Sequence, residues 1–172
     1  MFGRKKGSDQ QGTPVNLLES ILLVVDGSQP SIAAANFAVD LAAQLASRIT
    51  AVYVVDTATM DYLLQMRIFV REEREEFEQD LQRTGKRYLD YVTAAGSKAG
   101  VSVDTVLLRG RFNTMILQEA RNRQVDAIVV GGWRRSVTRK DATSVERQLI
   151  LDQADCPVLV VKDDEKRRDE RG

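Results

Sequence analysis

The chain has 172 residues, enough for one domain with a buried core and too few for two. Its 25 Lys and Arg residues balance its 25 Asp and Glu residues, so it has no overall positive charge that would attract nucleic acid. It contains one cysteine and no histidine, which excludes an internal disulfide and hydrolysis by a Ser/His or Cys/His pair.

Both ends of the chain are predicted to be tails outside the folded domain. Residues 1–16 are rich in glycine, lysine, glutamine and serine, and residues 163–172 mix acidic and basic side chains. The domain is therefore expected to span residues 17–162. No apolar run approaches the ~18 residues of a membrane span, and no apolar segment follows the basic residues near the N-terminus. We therefore expect a cytoplasmic protein that does not insert into membranes.

The first part of the domain alternates strand and helix patterns. Ile21–Val25 is apolar throughout, which predicts a buried strand that ends at the turn Asp26-Gly27-Ser28. An alanine-rich helix is predicted over Ser31–Ser47, and Ile49–Val55 predicts a second strand that ends at Asp56. The apolar stripe of the helix consists of Ile32, Ala35, Val39, Ala42 and Ala46.

Residues 57–98 form a long, highly charged segment whose pattern is helical from about Asp61 to Ala99. Gly85 predicts a kink or break, since glycine costs about 1 kcal/mol inside a helix. The stretch EEREEFEQDLQR is predicted to be a solvated face with ion pairs between successive turns, and a partner-binding helix is the alternative. The predicted inward positions are Phe77, Leu81, Tyr88 and Val92.

The rest of the chain continues the alternation. The remaining predicted elements are strands over Val101–Leu108, Val125–Val130 and Val158–Val161, and helices over Asn113–Arg123 and Ser144–Asp152. Five strands alternating with about four helices predict an α/β domain, a parallel sheet with helices on both faces. Ligands of such sheets bind beyond the carboxyl ends of the strands, which points to Asp26, Asp56 and the Gly131-Gly132 pair.

Three stretches of the chain together resemble the universal stress protein family. They are ILLVVDGSQPSIAAANFAVDLA from Ile21, VLLRGRFNTMILQEARNRQVDAIVVGG from Val106 and QLILDQADCPVLVVK from Gln148, in the order and spacing of that family. The resemblance spans about Leu18–Lys162. It implies a single-domain, five-stranded parallel sheet of strand order 3-2-1-4-5, similar to the adenine nucleotide alpha-hydrolase fold, in a protein that is usually a homodimer.

The resemblance also implies contacts to a nucleotide. Family members that bind ATP contact the nucleoside through the aspartate after the first strand, here Asp26. Backbone at the end of their second strand receives the base, here near Val54. Asp26 has a structural alternative, since Asp-Gly-Ser sequences commonly cap a turn.

The phosphate loop implied by the resemblance departs from the family's pattern in this chain. That loop has the form G-x-x-G, nine residues, then G-[ST], after the fourth strand. Gly131, which Gly132 follows, matches the first glycine, whereas Arg134 and Ser144 occupy the next two glycine positions. Glycine permits positive φ and lets backbone N–H groups approach phosphate oxygens, so these side chains obstruct the loop. A shift by one residue places Thr143-Ser144 last, which recovers a hydroxyl but no glycine.

Two interpretations of this loop follow. In the first, the phosphate cradle is lost, the basic residues that follow form a solvated loop, and ATP binds weakly or not at all. In the second, a basic cluster holds the phosphates of ATP or another adenine nucleotide by charge. The cluster consists of Arg134, Arg135, Arg139 and Lys140.

Four other residues allow a functional and a structural interpretation. Arg109 and Arg111 follow the third predicted strand, where they would contact a ligand or form the turn before the next helix. Trp133 would stack on a base, or pack as an interface residue. Cys156, just before the last strand, is predicted to be a small buried residue rather than a nucleophile.

The last strand, Val158–Val161, lies at the sheet edge if the order is 3-2-1-4-5, and pairing with a second copy would cover its backbone groups. The sequence therefore predicts a non-enzymatic stress-response or regulatory protein that acts as a homodimer and offers surfaces to protein partners. The alternative is a switch that responds to ATP or another adenine nucleotide. An ATPase is disfavoured, because Asp26 and Asp56 are too few ligands for a magnesium site, and no metal site is predicted.

Overall fold

The computed structural model describes residues 15–133 and 142–163. Within them strands and helices alternate as predicted, except that a fifth helix is present. The strands are β1 (Ser20–Val24), β2 (Arg48–Asp56), β3 (Val103–Gly110), β4 (Ala127–Gly131) and β5 (Val158–Val161). The helices are α1 (Gln29–Leu45), α2 (Thr57–Gln65), α3 (Arg71–Ala99), α4 (Phe112–Arg123) and α5 (Ala142–Gln153).

The strands form one parallel sheet of order β3-β2-β1-β4-β5, which confirms the predicted order. β1 is the central strand, with Leu22 opposite Thr50 of β2 on one side and opposite Ile128 of β4 on the other. The chain reverses its direction of winding between β1 and β4. The carboxyl ends of these two strands therefore flank the crevice in which ligands of such sheets bind.

Helices cover both faces of the sheet, and each face has its own buried core. Ile21 and Leu23 of β1 belong to the core with α1 and α3, whereas Leu22 and Val24 belong to the core with α4 and α5. β1 is buried along its whole length, which explains why Ile21–Val24 is apolar throughout rather than alternating. None of the described helices combines the length and the apolar character that crossing a membrane demands.

The charged segment after β2 folds as two helices, and the break expected near Gly85 is not there. The break lies at residues 66–70, where Arg67 adopts a left-handed φ of 56° and Ile68 N–H donates to the Leu63 carbonyl oxygen at 3.0 Å. α3 runs through Gly85 without interruption. The glycine serves packing instead, because its missing side chain makes room for the ring of Tyr53 in β2.

Three of the four predicted inward positions of α3 are confirmed: Val92 is buried, and Leu81 and Tyr88 pack half-buried against the core. The prediction for Phe77 is wrong, since this residue is 44% exposed. The next residue, Glu78, points inward instead, where it forms an ion pair with Arg109 at the end of β3.

α1 begins and ends earlier than predicted. Ser28 caps its first turn, and Ala46 ends the helix before the predicted Ser47 because its φ is 54°. Ala46 is therefore exposed rather than part of the apolar stripe, and Ile32 is half-buried. The stripe positions that are buried as predicted are Ala35, Val39 and Ala42.

Candidate functional site

Asp26 lies in the turn between β1 and α1, at the carboxyl edge of the sheet. Its backbone N–H donates to Ser31 Oγ at 2.9 Å, and its Oδ1 accepts the N–H of Ser28 at 2.9 Å. Its other carboxylate oxygen, Oδ2, forms an ion pair with Arg147 of α5. Asp26 therefore caps the turn, which is the structural alternative raised from the sequence, and in addition it binds a cation within the protein.

Arg147 is a buried charge, with 6% of its side chain exposed. Its guanidinium carbon lies 5.5 Å from the centroid of the Phe112 ring in α4, which is a cation–π contact. Burial lowers the pKa of Arg147, but the ordinary value for arginine is so high that the group stays charged at neutral pH. The carboxylate of Asp26 and the ring of Phe112 compensate part of the cost of removing this charge from water.

Arg147 is not among the site residues predicted above, although the sequence contains a signal for it. Arg147 lies three residues after Ser144 and three before Ile150, so helical spacing puts all three on one side of α5. Ile150 is fully buried, and Ser144 is half-buried in the first turn of the helix. An arginine on the same side as a buried isoleucine marks an ion-pair or ligand position, because a charge is rarely buried without a partner.

The two glycines at the carboxyl end of β4, Gly131 within the strand and Gly132 after it, both have structural roles. A Cβ built on Gly131 would lie 2.6 Å from the backbone carbon of Pro30 and 2.6 Å from the backbone nitrogen of Ser31, at the start of α1. Gly132 N–H donates to the carbonyl oxygen of Val161 in β5 at 2.7 Å. The close approach of β4 to α1 therefore explains the first glycine, and the N–H of the second is engaged within the sheet.

The remaining candidates for a nucleotide lie at the same edge or outside the described residues. Val54 stands opposite Leu108 near the carboxyl end of β2, and its half-buried side chain packs toward the core with α4 and α5. Trp133 also packs against that core. Arg134 lies outside the described residues, as do the other members of the basic cluster, Arg135, Arg139 and Lys140.

Three further charged groups face one another at the carboxyl edge. Asp56 caps α2, because its carboxylate accepts two hydrogen bonds from Thr59. The Thr59 N–H donates at 3.1 Å and the Thr59 hydroxyl at 3.0 Å. Burial and the Asp56 charge raise the pKa of Glu146 in α5, and Arg111 opposes this. Across residues 15–133 and 142–163, no group of three His, Cys, Asp or Glu side chains has a metal-binding arrangement.

Asn113 adds a buried polar group beside this site. It lies in the first turn of α4, next to Phe112, and it is 7% exposed. Its Oδ1 has no hydrogen-bond partner among the described residues. Arg111, at the N-cap of α4, makes no side-chain capping bond. A ligand with an N–H or O–H group could use this acceptor after displacing the atoms that cover it.

Arg109, at the end of β3, pairs with the buried carboxylate of Glu78 in α3. Arg74 donates to the same carboxylate at 3.3 Å, and its other terminal nitrogen lies 2.6 Å from Asp61 of α2. A buried carboxylate requires such partners. Arg109 therefore joins α3 to the edge of the sheet, which supports its structural interpretation.

Cys156 lies at the opposite, amino edge of the sheet, in a pocket between the ends of α4 and α5. Its side chain is half-buried against the core, as expected for a small packing residue. Burial raises the pKa of its thiol, and Asp155 and Asp126 raise it further. A raised pKa disfavours the thiolate, so the surroundings of Cys156 do not activate a nucleophile.

Comparison with known proteins identifies the family. Residues 18–162 match the universal stress protein family. The chain belongs to this family. It is 27% identical over 151 residues to universal stress protein MJ0531 of Methanocaldococcus jannaschii, which covers 88% of this chain and 86% of that protein. It is 24% identical over 152 residues to universal stress protein YxiE of Bacillus subtilis, covering 85% of this chain and all of that protein (100%).

Solved universal stress protein structures share the fold. A family member from Burkholderia pseudomallei superposes with a TM-score of 0.67 at 25% identity, covering 86% of this chain and 98% of that one. A universal stress protein in complex with cAMP gives a TM-score of 0.58 at 14% identity, covering 84% and 97% of the two chains. An Arabidopsis thaliana family protein with AMP bound gives 0.61 at 16% identity, covering 86% and 94%. The sheet is thus that of the adenine nucleotide alpha-hydrolase-like fold.

Proposed function

We propose that this universal stress protein is a non-enzymatic stress-response or regulatory protein that acts as a homodimer and binds ATP weakly or not at all. The ion pair between Asp26 and Arg147 carries the proposal. Asp26 is the carboxylate that the family resemblance assigns to the nucleoside. In this chain a buried guanidinium is already bound to it, so a nucleoside hydroxyl would compete with a charged partner.

The competition is costly in free energy. Separating a buried ion pair costs about 3 kcal/mol or more when one partner stays unpaired, and about 1.4 kcal/mol changes affinity tenfold. A nucleotide that has to displace Arg147 from Asp26 would therefore bind about 100-fold more weakly than one that meets a free Asp26 carboxylate. The use of Gly132 N–H by Val161 removes a further donor that a phosphate would need.

The homodimer is proposed to form through β5. This strand pairs with β4 on one side and ends the sheet on the other, and Val160 on it is 36% exposed. A sheet edge carries unpaired backbone groups, and a two-fold axis at the edge lets two copies of the strand satisfy one another.

A second candidate function, a nucleotide-responsive switch, is favoured by Asn113. Its buried amide oxygen has no partner among the described residues, and an exocyclic amine or a ribose hydroxyl would supply the missing donor. Two proteins of the same fold have been solved with cAMP and with AMP. In this alternative the nucleotide replaces Arg147 at Asp26 and gains the Asn113 contact.

Calorimetric titration separates the two functions. ATP, AMP, cAMP and cyclic di-AMP are titrated, with and without Mg²⁺, into protein freed of any nucleotide carried through purification. We expect no heat from the wild type and measurable binding by Arg147→Met, in which the Asp26 carboxylate is released. Arg121→Met, which removes an exposed ion pair at the amino edge, is the matched control. Micromolar binding by the wild type would overturn the proposal and support the switch.

A further inference from the structure

Exposed apolar side chains are concentrated where α2 turns into α3. We call residues 62–77 the elbow. Of the large apolar side chains exposed among the described residues, five lie within the elbow, and Ile68 has the highest exposed fraction of these at 61%. The five are Tyr62, Met66, Ile68, Val70 and Phe77. Such clustering within sixteen consecutive positions differs from the scattered apolar residues of an ordinary surface.

The elbow is held in one conformation by its own hydrogen bonds. Met66 N–H donates to the Tyr62 carbonyl oxygen at 3.0 Å, and Val70 N–H donates to Glu73 Oε2 at 3.1 Å. The rings of Phe69 and Phe77 contact each other with centroids 5.9 Å apart. Binding of a partner here therefore needs little further ordering of the elbow, so the entropic cost of binding is small.

The charge around the apolar side chains is negative. Residues 61–80, which include the whole elbow, contain seven acidic and three basic residues. Of the basic ones, Arg74 is bound to Asp61 and Glu78, and Arg67 and Arg71 are exposed. Within the described residues, no ion pair is formed by the exposed carboxylates of Glu72, Glu75 and Glu76.

We propose that the elbow binds an amphipathic helix of a partner protein whose apolar stripe is flanked by lysine and arginine. The elbow lies between two helices and has no strand edge to which a peptide could add a strand. An amphipathic helix is therefore the expected form of the partner segment. The free carboxylates select a cationic partner. A second copy of this chain is disfavoured, because a two-fold interface would place the same acidic clusters against each other.

This inference rests on the proposed regulatory role and names its partner class. The elbow contains none of the residues assigned to the nucleotide site or to β5, so the two proposals fail separately. Peptide binding tests the elbow, whereas calorimetry with nucleotides tests the function proposed above.

The test uses the full chain and a fluorescent synthetic peptide of about 18 residues, long enough to form a helix. Leucine and lysine are arranged in it as an amphipathic helix, and a second peptide carries glutamate in place of lysine. We expect fluorescence anisotropy to detect binding of the lysine peptide and not of the glutamate peptide. Ile68→Ser/Phe77→Ser should weaken binding about tenfold or more, because few apolar anchors dominate such interfaces. Glu72→Lys/Glu75→Lys should also weaken it.

Phe37→Ser is the matched control, because Phe37 is 41% exposed on α1, outside the elbow. It should bind the lysine peptide as the wild type does, and circular dichroism should show that all variants are folded. Three results would overturn the proposal: no binding of the lysine peptide, equal binding by the wild type and Ile68→Ser/Phe77→Ser, or binding of anionic phospholipid vesicles that depends on Ile68 and Phe77. Self-association that is lost in Ile68→Ser/Phe77→Ser would overturn it too.

Discussion

Gly85 of α3 lies against the ring of Tyr53 in β2. A Cβ built on this glycine would stand 2.8 Å from Tyr53 Cε1 and 2.9 Å from Cγ, distances that real Cβ atoms do not show. Tyr53 is 6% exposed, so its ring has little room to move aside. The missing side chain of Gly85 therefore sets how closely α3 packs on the sheet.

In Gly85→Ala the added methyl group overpacks a filled core, which costs about 2 kcal/mol. Alanine contributes about 1 kcal/mol in a helix interior, so the free energy of unfolding should fall by about 1 kcal/mol in all. Urea unfolding measures the difference. Ser97→Ala, at an exposed position of the same helix, is the control and should change stability by about 0.5 kcal/mol at most. A Gly85→Ala variant more stable than the wild type would contradict the packing role.

The contrast between Gly85 and residues 66–70 shows where prediction from the sequence ends. Buried strands were predicted well because strands covered on both faces are apolar throughout: β1 is Ser20–Val24, one residue from the predicted Ile21–Val25 at each end. The break in the charged segment was misplaced because MRIFV contains no glycine or proline. Arg67 makes that turn instead, in a conformation stabilised by hydrogen bonds to α2 that local sequence does not encode.

The candidate site shows the same limit. The position of Asp26 at the end of β1 could be predicted, because a turn signal follows an apolar run. Its partner could not, since Arg147 lies on the last described helix and only the folding of the sheet brings the two together.

Arg147→Met should lower the free energy of unfolding by about 3 kcal/mol, because it removes one partner of a buried ion pair together with its contact to Phe112. The double variant Asp26→Asn/Arg147→Met should cost less than the sum of the single changes, since the two residues interact directly. Chemical denaturation of the four proteins gives the coupling. The control Arg121→Met breaks an exposed pair with Asp155 and should cost less than about 1 kcal/mol. Additive effects at Asp26 and Arg147 would refute the pair.

Glu146→Gln should raise the melting temperature at pH 7 and leave it nearly unchanged at pH 4. Burial and the Asp56 charge raise the pKa of Glu146 in the folded state, so the ionised form is disfavoured there. Below the unfolded pKa of about 4.3 the carboxyl is protonated in both states and nothing is lost. As the pH rises from the unfolded pKa through the higher folded pKa, the wild type loses stability. The Glu146→Gln variant keeps that stability because glutamine does not ionise. A melting-temperature difference that is the same at both pH values would argue against this.

Cys156 should react slowly with a thiol reagent such as dithionitrobenzoate, and the pH midpoint of its reaction should lie above that of a free thiol. Burial raises the pKa of this thiol most, followed by the charges of Asp155 and Asp126. Asp155→Asn should therefore increase the rate at pH 8 by about two- to threefold. Because Cys156 is the one cysteine in the sequence, absorbance reports it directly. Asp152→Asn removes an exposed carboxylate at the end of α5 that does not contribute to the raised pKa of Cys156, so it should have no such effect.

Val160→Lys should convert the proposed homodimer into a monomer, since two lysines would meet across the two-fold axis at the edge of β5. Sedimentation equilibrium of the wild type and the variant measures the mass directly. Val145→Lys introduces the same charge at a valine that is 43% exposed on α5, and this control should keep the wild-type mass. A monomeric wild type would rule the dimer out.

The amino end of the central strand is joined to β4 by residues far apart in the chain. Ser20 N–H donates to Asp126 Oδ2 at 2.9 Å, the Asp126 N–H returns a bond of 2.8 Å to the Ser20 carbonyl oxygen, and 106 positions separate the two residues. β1 and β2 can associate after one short crossover, whereas β1 and β4 must close a far longer loop, and such distant pairings slow folding. During synthesis, one side of β1 therefore stays unpaired until the ribosome has released β4, and in that interval the nascent chain exposes an apolar strand edge for other chains to bind.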